Sequence, residues 1–454
     1  MVALEFQAVV LAAGRGNRLP ELTINHPKCL LPVGPYPLLW YPLHMLQKHG
    51  FEEVIVVVLE SQKSEIQQAL DTTQLKLKLD YAAIPSDEDF GTADSLRYIH
   101  DKIKTDFILV SCDVITNFEL YPLINKFRQH NATVASLLFP STVDVNLTAM
   151  GPKTKYKPDR DLFGIHPDSE RLMFLASAGD FEDTLSLSGH LLRKIGKLNM
   201  HSRLVDSHIY VMKKYVVDFL KTKEQFATIK GELLPYIIKK QLARNPQPSK
   251  DTGHSEIVTT SKVDEGIFHH LSHSKLEKEI ISASLFNDSR TTDPYNGDVI
   301  RCYAITLPSG KFGIRANSTQ TYNLANQKIL SMWSGFVESN TVPLISPNAV
   351  VNCTQHNMIA VAENANISEK TRLNSSVFGP YCIVAPKVTI INSIVMGQAI
   401  IEEGCIIENS VIGHKVTIRK GCKIKNCLIG NSFTLDEGSE KQMAVLTNDG
   451  FMEI

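Results

Sequence analysis

A glycine pair flanked by arginines, Gly14-Arg15-Gly16-Asn17-Arg18, follows directly on an apolar, β-branched run from Phe6 to Ala12. The run reads as a buried first strand. A glycine-rich turn at the carboxyl end of such a strand is where open α/β sheets hold phosphate. Glycines let backbone N–H groups approach the anion, and Arg15, Arg18 and Lys28 supply positive charge. The loop is neither of the common phosphate fingerprints. A third glycine would fall at Leu19, and no Gly-Lys-Ser/Thr follows. By itself, Gly-x-Gly is as readily an ordinary strand-to-loop turn.

The longer segment is more specific. Leu11-Ala12-Ala13-Gly14-Arg15-Gly16-Asn17-Arg18-Leu19 and Pro27-Lys28-Cys29-Leu30-Leu31-Pro32-Val33 resemble the N-terminal signature of sugar-nucleotide pyrophosphorylases, with Asn17 in place of the usual threonine. The resemblance implies an in-line displacement at phosphorus, dominated by positioning and charge neutralisation. It also implies a divalent metal held by two aspartates. Asp113, in Val110-Ser-Cys-Asp113, matches the first of them, although an aspartate there also suits a turn or helix cap. Gly91-Thr92-Ala93 matches the base-contacting segment and would equally start a helix with Thr92 as its cap.

The second aspartate has no counterpart. The corresponding run is Phe312-Gly-Ile-Arg315-Ala-Asn-Ser-Thr319, followed by Tyr322 and Ala325-Asn326. It places Arg315 at the metal-ligand position, and a guanidinium cannot ligate a cation. The family's glutamate-lysine-proline segment for the sugar phosphate is also missing. After Arg171-Leu-Met-Phe174 the chain reads Leu175-Ala-Ser-Ala-Gly-Asp180. Both departures argue against nucleotide-sugar synthesis. No catalytic residue and no metal site is therefore expected. Gly14, Gly16, Arg18, Lys28, Gly91, Thr92 and Asp113 are expected to frame a vestigial nucleotide pocket, with residual nucleotide binding left open and no cofactor otherwise expected.

These residues need a scaffold, and the pattern supplies one. The chain has 454 residues, enough for two or three domains. Leu38 to His49 and Ala93 to Lys102 read as helices; Val54 to Leu59, Phe107 to Ser111 and Thr133 to Phe139 read as buried strands. Such alternation implies a doubly wound α/β domain with a mostly parallel sheet, and Asp113 at its carboxyl edge. This nucleotidyltransferase-like domain is assigned to residues 1–335, with a polar insertion near 245–296. His254, His269, His270 and His273 cluster in that insertion without cysteine or clear ligand spacing, so a solvated loop is the better reading.

The C-terminal part, 343–454, is repetitive. Val388, Ile394, Ile400, Ile406, Ile412, Ile418 and Ile424 fall on a period of six. That period suits neither a helix nor a flat strand and marks a hexapeptide solenoid, a left-handed parallel β-helix with these aliphatic residues facing inward.

Bulk properties narrow the setting. A net charge of -1 gives no global support for polyanion binding, so no nucleic-acid partner is expected. No signal-peptide pattern and no membrane-spanning stretch is seen, and the eight scattered cysteines include no C-x-x-C pair. Cys422 and Cys427 read as reduced packing residues, and a cytosolic setting is expected.

The closest resemblance is to a non-synthetic branch of the superfamily, the gamma-type subunits of translation initiation factor 2B. It rests on Trp40-Tyr-Pro-Leu43, Gly50-Phe-Glu-Glu-Val-Ile-Val-Val57, Gly91-Thr-Ala-Asp-Ser-Leu-Arg-Tyr-Ile99, Leu109-Val-Ser-Cys-Asp113, Leu204-Val-Asp-Ser-His-Ile-Tyr210, Tyr215-Val-Val-Asp-Phe-Leu220 and Met452-Glu-Ile454. The resemblance implies a non-catalytic regulatory and scaffolding subunit of the guanine-nucleotide exchange complex. The implied partners are an epsilon subunit, the other subunits of factor 2B, and initiation factor 2 as substrate of the complex. The chain ends after the solenoid, with no room expected for the exchange domain that epsilon subunits carry. The alternatives are a mannose-1-phosphate guanylyltransferase-type pyrophosphorylase and its non-catalytic regulatory paralogue.

Overall fold

The computed structural model describes residues 5–141, 161–177, 189–243, 266–271, 298–337 and 342–448, with a few isolated positions between them. The first half holds a seven-stranded sheet. Its strands are β1 (Gln7–Leu11), β2 (Glu53–Leu59), β3 (Lys78–Ile84), β4 (Phe107–Ser111), β6 (Val134–Pro140), β7 (Leu204–Met212) and β8 (Cys302–Thr306), in the spatial order β8-β6-β7-β4-β1-β2-β3. β5 (Val114–Thr116) and β9 (Gly313–Arg315) form a separate two-stranded ribbon. All neighbours in the large sheet run parallel except β7, which is antiparallel to both β4 and β6. Central strands are apolar throughout because helices cover both faces: Val54 to Leu59 are all buried, as are Phe107 to Val110. Two apolar clusters lie on the two sides of the sheet. One joins Val9, Val57 and Leu109 to Leu96 and Phe219; the other joins Ala8, Val10 and Val56 to Leu43, Leu46 and Phe127.

Helices α1 (Trp40–Lys48), α2 (Lys63–Asp71) and α3 (Thr92–Tyr98) sit where their apolar spacing places them. Gly91, rather than Thr92, caps α3, and its N–H donates to the Asp94 carboxylate at 3.0 Å. Of the four insertion histidines, His254 and His273 lie outside the described residues. His269 and His270 stand beside each other, the latter against Phe219. Among the described residues no group of three His, Cys, Asp or Glu could hold a metal ion.

The second half is a parallel β-helix. Ile383 pairs with Ile400, Ile400 with Thr417 and Thr417 with Thr434, so each coil takes 17 residues. Corners recur at the same interval in the left-handed region: Asn364, Tyr381, Gln398, Lys415 and Ser432, and likewise Asn392, Asn409 and Asn426. Asparagine tolerates this conformation better than most residues, and its amides also ladder between coils, Asn392 Nδ2 donating to Asn409 Oδ1 at 2.7 Å. The interior stack includes Ile390, Val395, Ile401, Ile407, Ile412, Ile418 and Ile424.

That register corrects the six-residue frame. Val388, Ile412, Ile418 and Ile424 do face inward. Ile400 and Ile406 are 41% and 39% exposed, and Ile394 is buried on the outside of the coil, under the first domain. Three hexads would take 18 residues, whereas one side of each coil is a residue shorter. Five-residue steps, from Ile390 to Val395 and from Ile407 to Ile412, restore the frame.

α4 (Thr319–Phe336) bridges the domains. Tyr322, Ala325 and Ile329 pack in one cluster with Val377, Ile394, Met396, Val411 and Leu428 on the outer face of the coils. Asn431 is a polar tether between them. Its side-chain amide donates to Leu22 O at 2.9 Å and Ile24 O at 3.0 Å, and its Oδ1 accepts from His414 N–H. The β-helix therefore grips the segment that joins the glycine loop to Lys28.

Candidate functional site

The glycine loop leaves β1 at the carboxyl edge of the sheet. Gly16 turns it with φ 79°, and a Cβ there would meet the Thr23 side chain at 2.6 Å. Thr23 Oγ1 donates back to Gly16 O at 3.1 Å, so the turn is fixed from within. Pro27 then leads into a short turn, Lys28–Leu30, that aims the Lys28 amine at the end of β4. Asp113 lies just beyond that end and is 1% exposed. The ribbon brings Arg315 opposite Val114, and Ala316 N–H donates to Asp113 O at 2.8 Å.

The result is a closed charge cluster. Lys28 Nζ lies 2.7 Å from Asp113 Oδ2. Arg315 Nη2 reaches the same oxygen at 3.1 Å, and its Nε reaches Oδ1 at 3.3 Å. Burial alone would raise the Asp113 carboxyl, yet the Arg315 and Lys28 charges hold it well below the ordinary carboxylate range. Burial would likewise lower Arg315, and the Asp113 charge outweighs it, so the guanidinium stays fully charged. One carboxylate shared between two cations does not fit a divalent metal. Both of its oxygens are engaged by Lys28 and Arg315, and a guanidinium cannot ligate a cation.

Above this cluster opens a cavity of about 340 Å³. Of the residues singled out from sequence, Gly14, Gly16, Arg18 and Lys28 line it, and Asp113 lies buried beneath Lys28 and Arg315. Arg15 lines it too, but its guanidinium is tied to Ser86 O at 2.8 Å and Glu88 O at 2.9 Å. Gly91 and Thr92 are not in the wall; Phe90 is. Thr92 Oγ1 instead accepts from Ile229 N–H at 2.9 Å, and Ala93 N–H donates to Ala227 O at 2.9 Å. The Gly-Thr-Ala segment thus braces residues 227–229.

Sequence reasoning missed three residues here. Lys230 lines the cavity and pairs with buried Asp161 at 2.9 Å. His208 also lines it, with φ 56° at an irregularity in the pairing of β7. Asp206 shapes that irregularity: it accepts from His208 N–H at 2.9 Å and from the Tyr210 hydroxyl at 2.5 Å. Burial, reinforced by the Arg315 charge, pushes His208 well below its ordinary value and keeps it neutral. The signal was present, since Asp206-Ser207-His208 interrupts an apolar strand with three polar residues. The cavity wall sets Arg15, Arg18, Lys28, Lys230 and Arg315 against Glu88 and Asp89, with the glycine loop beside them, and this excess of cations suits a phosphate-bearing anion. In the missing glutamate-lysine region, the strand Leu172–Ser177 covers Leu175 to Ser177, while Ala178 to Asp180 lie outside the described residues.

A nucleotidyl transferase family model matches residues 7–148, and a model described as the GMPPB C-terminal domain matches 355–448. The subunit gamma of translation initiation factor eIF2B from Schizosaccharomyces pombe is 32% identical over 249 residues, 54% of this chain and 53% of that one. The Dictyostelium discoideum eIF2B subunit gamma is 24% identical over 422 residues, 84% of this chain and 89% of that one. The epsilon subunit from S. pombe is 24% identical over 208 residues, 45% of this chain and 30% of that one. The stronger gamma match spans about half the length of its relative, and the weaker one spans most of it. The chain carries a nucleotidyl transferase domain followed by a parallel β-helix, and it is a homologue of the eIF2B gamma subunits.

Proposed function

We propose that this chain is a non-catalytic regulatory and scaffolding subunit of the guanine-nucleotide exchange complex that acts on initiation factor 2. The observation that carries the reading is the Lys28–Asp113–Arg315 cluster. Similarity to gamma subunits supports the complex; the cluster supports the absence of synthesis within it. A pyrophosphorylase needs a carboxylate pair that gathers a dication and two phosphates. Here a guanidinium stands against the remaining carboxylate and neutralises it. The chain then contributes shape and surface, and the partner subunit opens the nucleotide site of factor 2.

The proposed partners are an epsilon-type subunit, the other subunits of factor 2B, and factor 2 as substrate of the assembly. No metal and no cofactor is required by this role. Gly14, Gly16, Arg18 and Lys28, above Asp113, are proposed to keep a residual affinity for nucleotide phosphates, with Gly91 and Thr92 supporting the wall. The setting proposed is the cytosol; among the described residues no helix is long and apolar enough to cross a membrane.

Pairing is the first thing to test. Coexpressed with an epsilon-type subunit, the full chain should elute from gel filtration as a stable complex, and a chain cut before Pro343 should be retained less well. Separate elution of the two full-length subunits at micromolar concentration would remove the basis of the proposal.

A further inference from the structure

A second cavity, of about 310 Å³, lies between the two domains and has the opposite character. One wall is the hairpin formed by Pro32–Val33 and Tyr36–Pro37, together with α2. The other is built from successive coils at one corner of the β-helix: Glu363, then Pro380-Tyr381, Gly397-Gln398 and His414. Glu65 stands on the first wall and Glu363 on the second. Among the described residues no lysine or arginine lines this cavity, although the Lys415 charge reaches Glu65 and His414, whereas Arg15, Arg18, Lys28, Lys230 and Arg315 line the first.

Its floor and rim are rigid. Pro32, Pro35 and Pro37 have fixed φ angles and present apolar rings. Tyr36 is half-buried and stacked on Trp40, with ring centroids 4.3 Å apart and planes 14° from parallel. Tyr381 is 54% exposed, at a left-handed corner with φ 58°. One end is closed by His26 and His414, stacked at 4.6 Å. Glu65 lies 3.5 Å from His26 Nδ1. Glu363 pairs with no cation among the described residues. Its charge nevertheless reaches Tyr36, whose hydroxyl is pushed up to about 12 by burial and then by Glu363.

The wall thus combines two carboxylates, two tyrosine rings and the proline rings with Gln68, Thr72, Thr73 and Gln398, the groups a cation with an apolar body would need. Carboxylates take planar amidinium or guanidinium groups through paired hydrogen bonds, and tyrosine rings attract the same charge. The volume matches the lower end of small-molecule pockets. We propose that this interdomain cleft binds a small organic cation, an amidinium or guanidinium on a flat or short apolar stem, held by Glu65 and Glu363 and covered by Tyr36 and Tyr381. Such a ligand touches both domains at once, so it binds the docked arrangement and stabilises it. The proposal stands apart from the exchange-complex reading, because it uses none of the residues of the phosphate-like cavity.

The probe is benzamidine, with uncharged benzamide as its isostere, titrated into the full-length chain by calorimetry at low salt. Benzamidine should bind saturably at millimolar concentration and benzamide about tenfold more weakly or less, since the charge-assisted contacts are lost. Glu363→Gln should weaken benzamidine about fivefold or more with unchanged melting; Glu65→Gln should weaken it as much and melt slightly lower, since it also loses the His26 contact. Glu369→Gln, on the exposed surface of the β-helix, should leave binding as it is. Equal binding of the two probes, no saturable heat from benzamidine, or equal weakening by Glu369→Gln would overturn the site.

Discussion

Asp113 and Arg315, 202 positions apart in the chain, share one buried ion pair across the β5–β9 ribbon, Nη2 to Oδ2 at 3.1 Å. Lys28 adds a second cation to the same oxygen. Removing one partner of a buried pair typically costs about 3–5 kcal/mol. Lys28 remains beside Asp113, so Arg315→Ala should fall at the lower end of that range, measured by chemical denaturation. A loss under about 0.5 kcal/mol, the size of an ordinary surface change, would mean that the pair contributes nothing to folding.

The same geometry predicts how metal behaves. Wild-type protein should form no nucleotide sugar from GTP or ATP with hexose 1-phosphates and Mg²⁺, and Mg²⁺ should not alter its melting. Arg315→Asp places two carboxylates against each other, and like charges at this range repel. That variant should melt lower, and millimolar Mg²⁺ should restore part of the loss. Turnover by the wild type, abolished by Asp113→Asn, would show that a working metal site exists.

The β-helix register yields a paired test. Ile412 is fully buried in the coil interior, whereas Ile406 is 39% exposed on its outer face. Ile412→Asp buries a carboxylate with no partner and should cost several kcal/mol. Ile406→Asp should stay within about 0.5 kcal/mol of wild type. The reverse order in thermal melts would shift every coil by one residue.

The junction between the domains should respond to acid. His414 is held down to about 4, by burial first and then by His26 and Lys415. The unfolded chain therefore takes up that proton at its ordinary 6.5, before the folded one does, and the contribution to stability falls as pH drops from 6.5 towards 4. Glu65 is lowered by its His26 contact, which adds a loss of the same sign at still lower pH. Melting temperatures should decline between pH 7 and pH 5, and His414→Gln should flatten that decline. Parallel curves for variant and wild type would refute the assignment.

Much of the fold was legible because its signals are local. Buried strands such as Val54 to Leu59 are continuous apolar runs, and the helix at Leu38 to His49 shows its spacing. Arg315 could be singled out because only a short, ungapped stretch separates it from Tyr322 and Asn326, and the fold sets it against Asp113. The β-helix register could not be read. Its strands carry aliphatic doublets, Ile400-Ile401, Ile406-Ile407 and Val411-Ile412, in which one member faces in and the other out. Period six picks a member of each doublet by arithmetic, and only inter-coil hydrogen bonds reveal the 17-residue coil. His208 and Lys230 were missed for a similar reason. Each joins the site through the tertiary fold, His208 in the same cavity wall as Arg315 and Lys230 by pairing with Asp161, which no local spacing records.

Exchange on factor 2 is the most direct measure of the proposed role. Release of fluorescent GDP should be followed with this chain alone, with the epsilon-type subunit alone, and with the pair. The account predicts no acceleration by this chain, acceleration by the partner, and a further increase for the pair that is lost when residues from Pro343 onward are removed. Full exchange by this chain alone, or a stable pair no faster than the partner by itself, would contradict it.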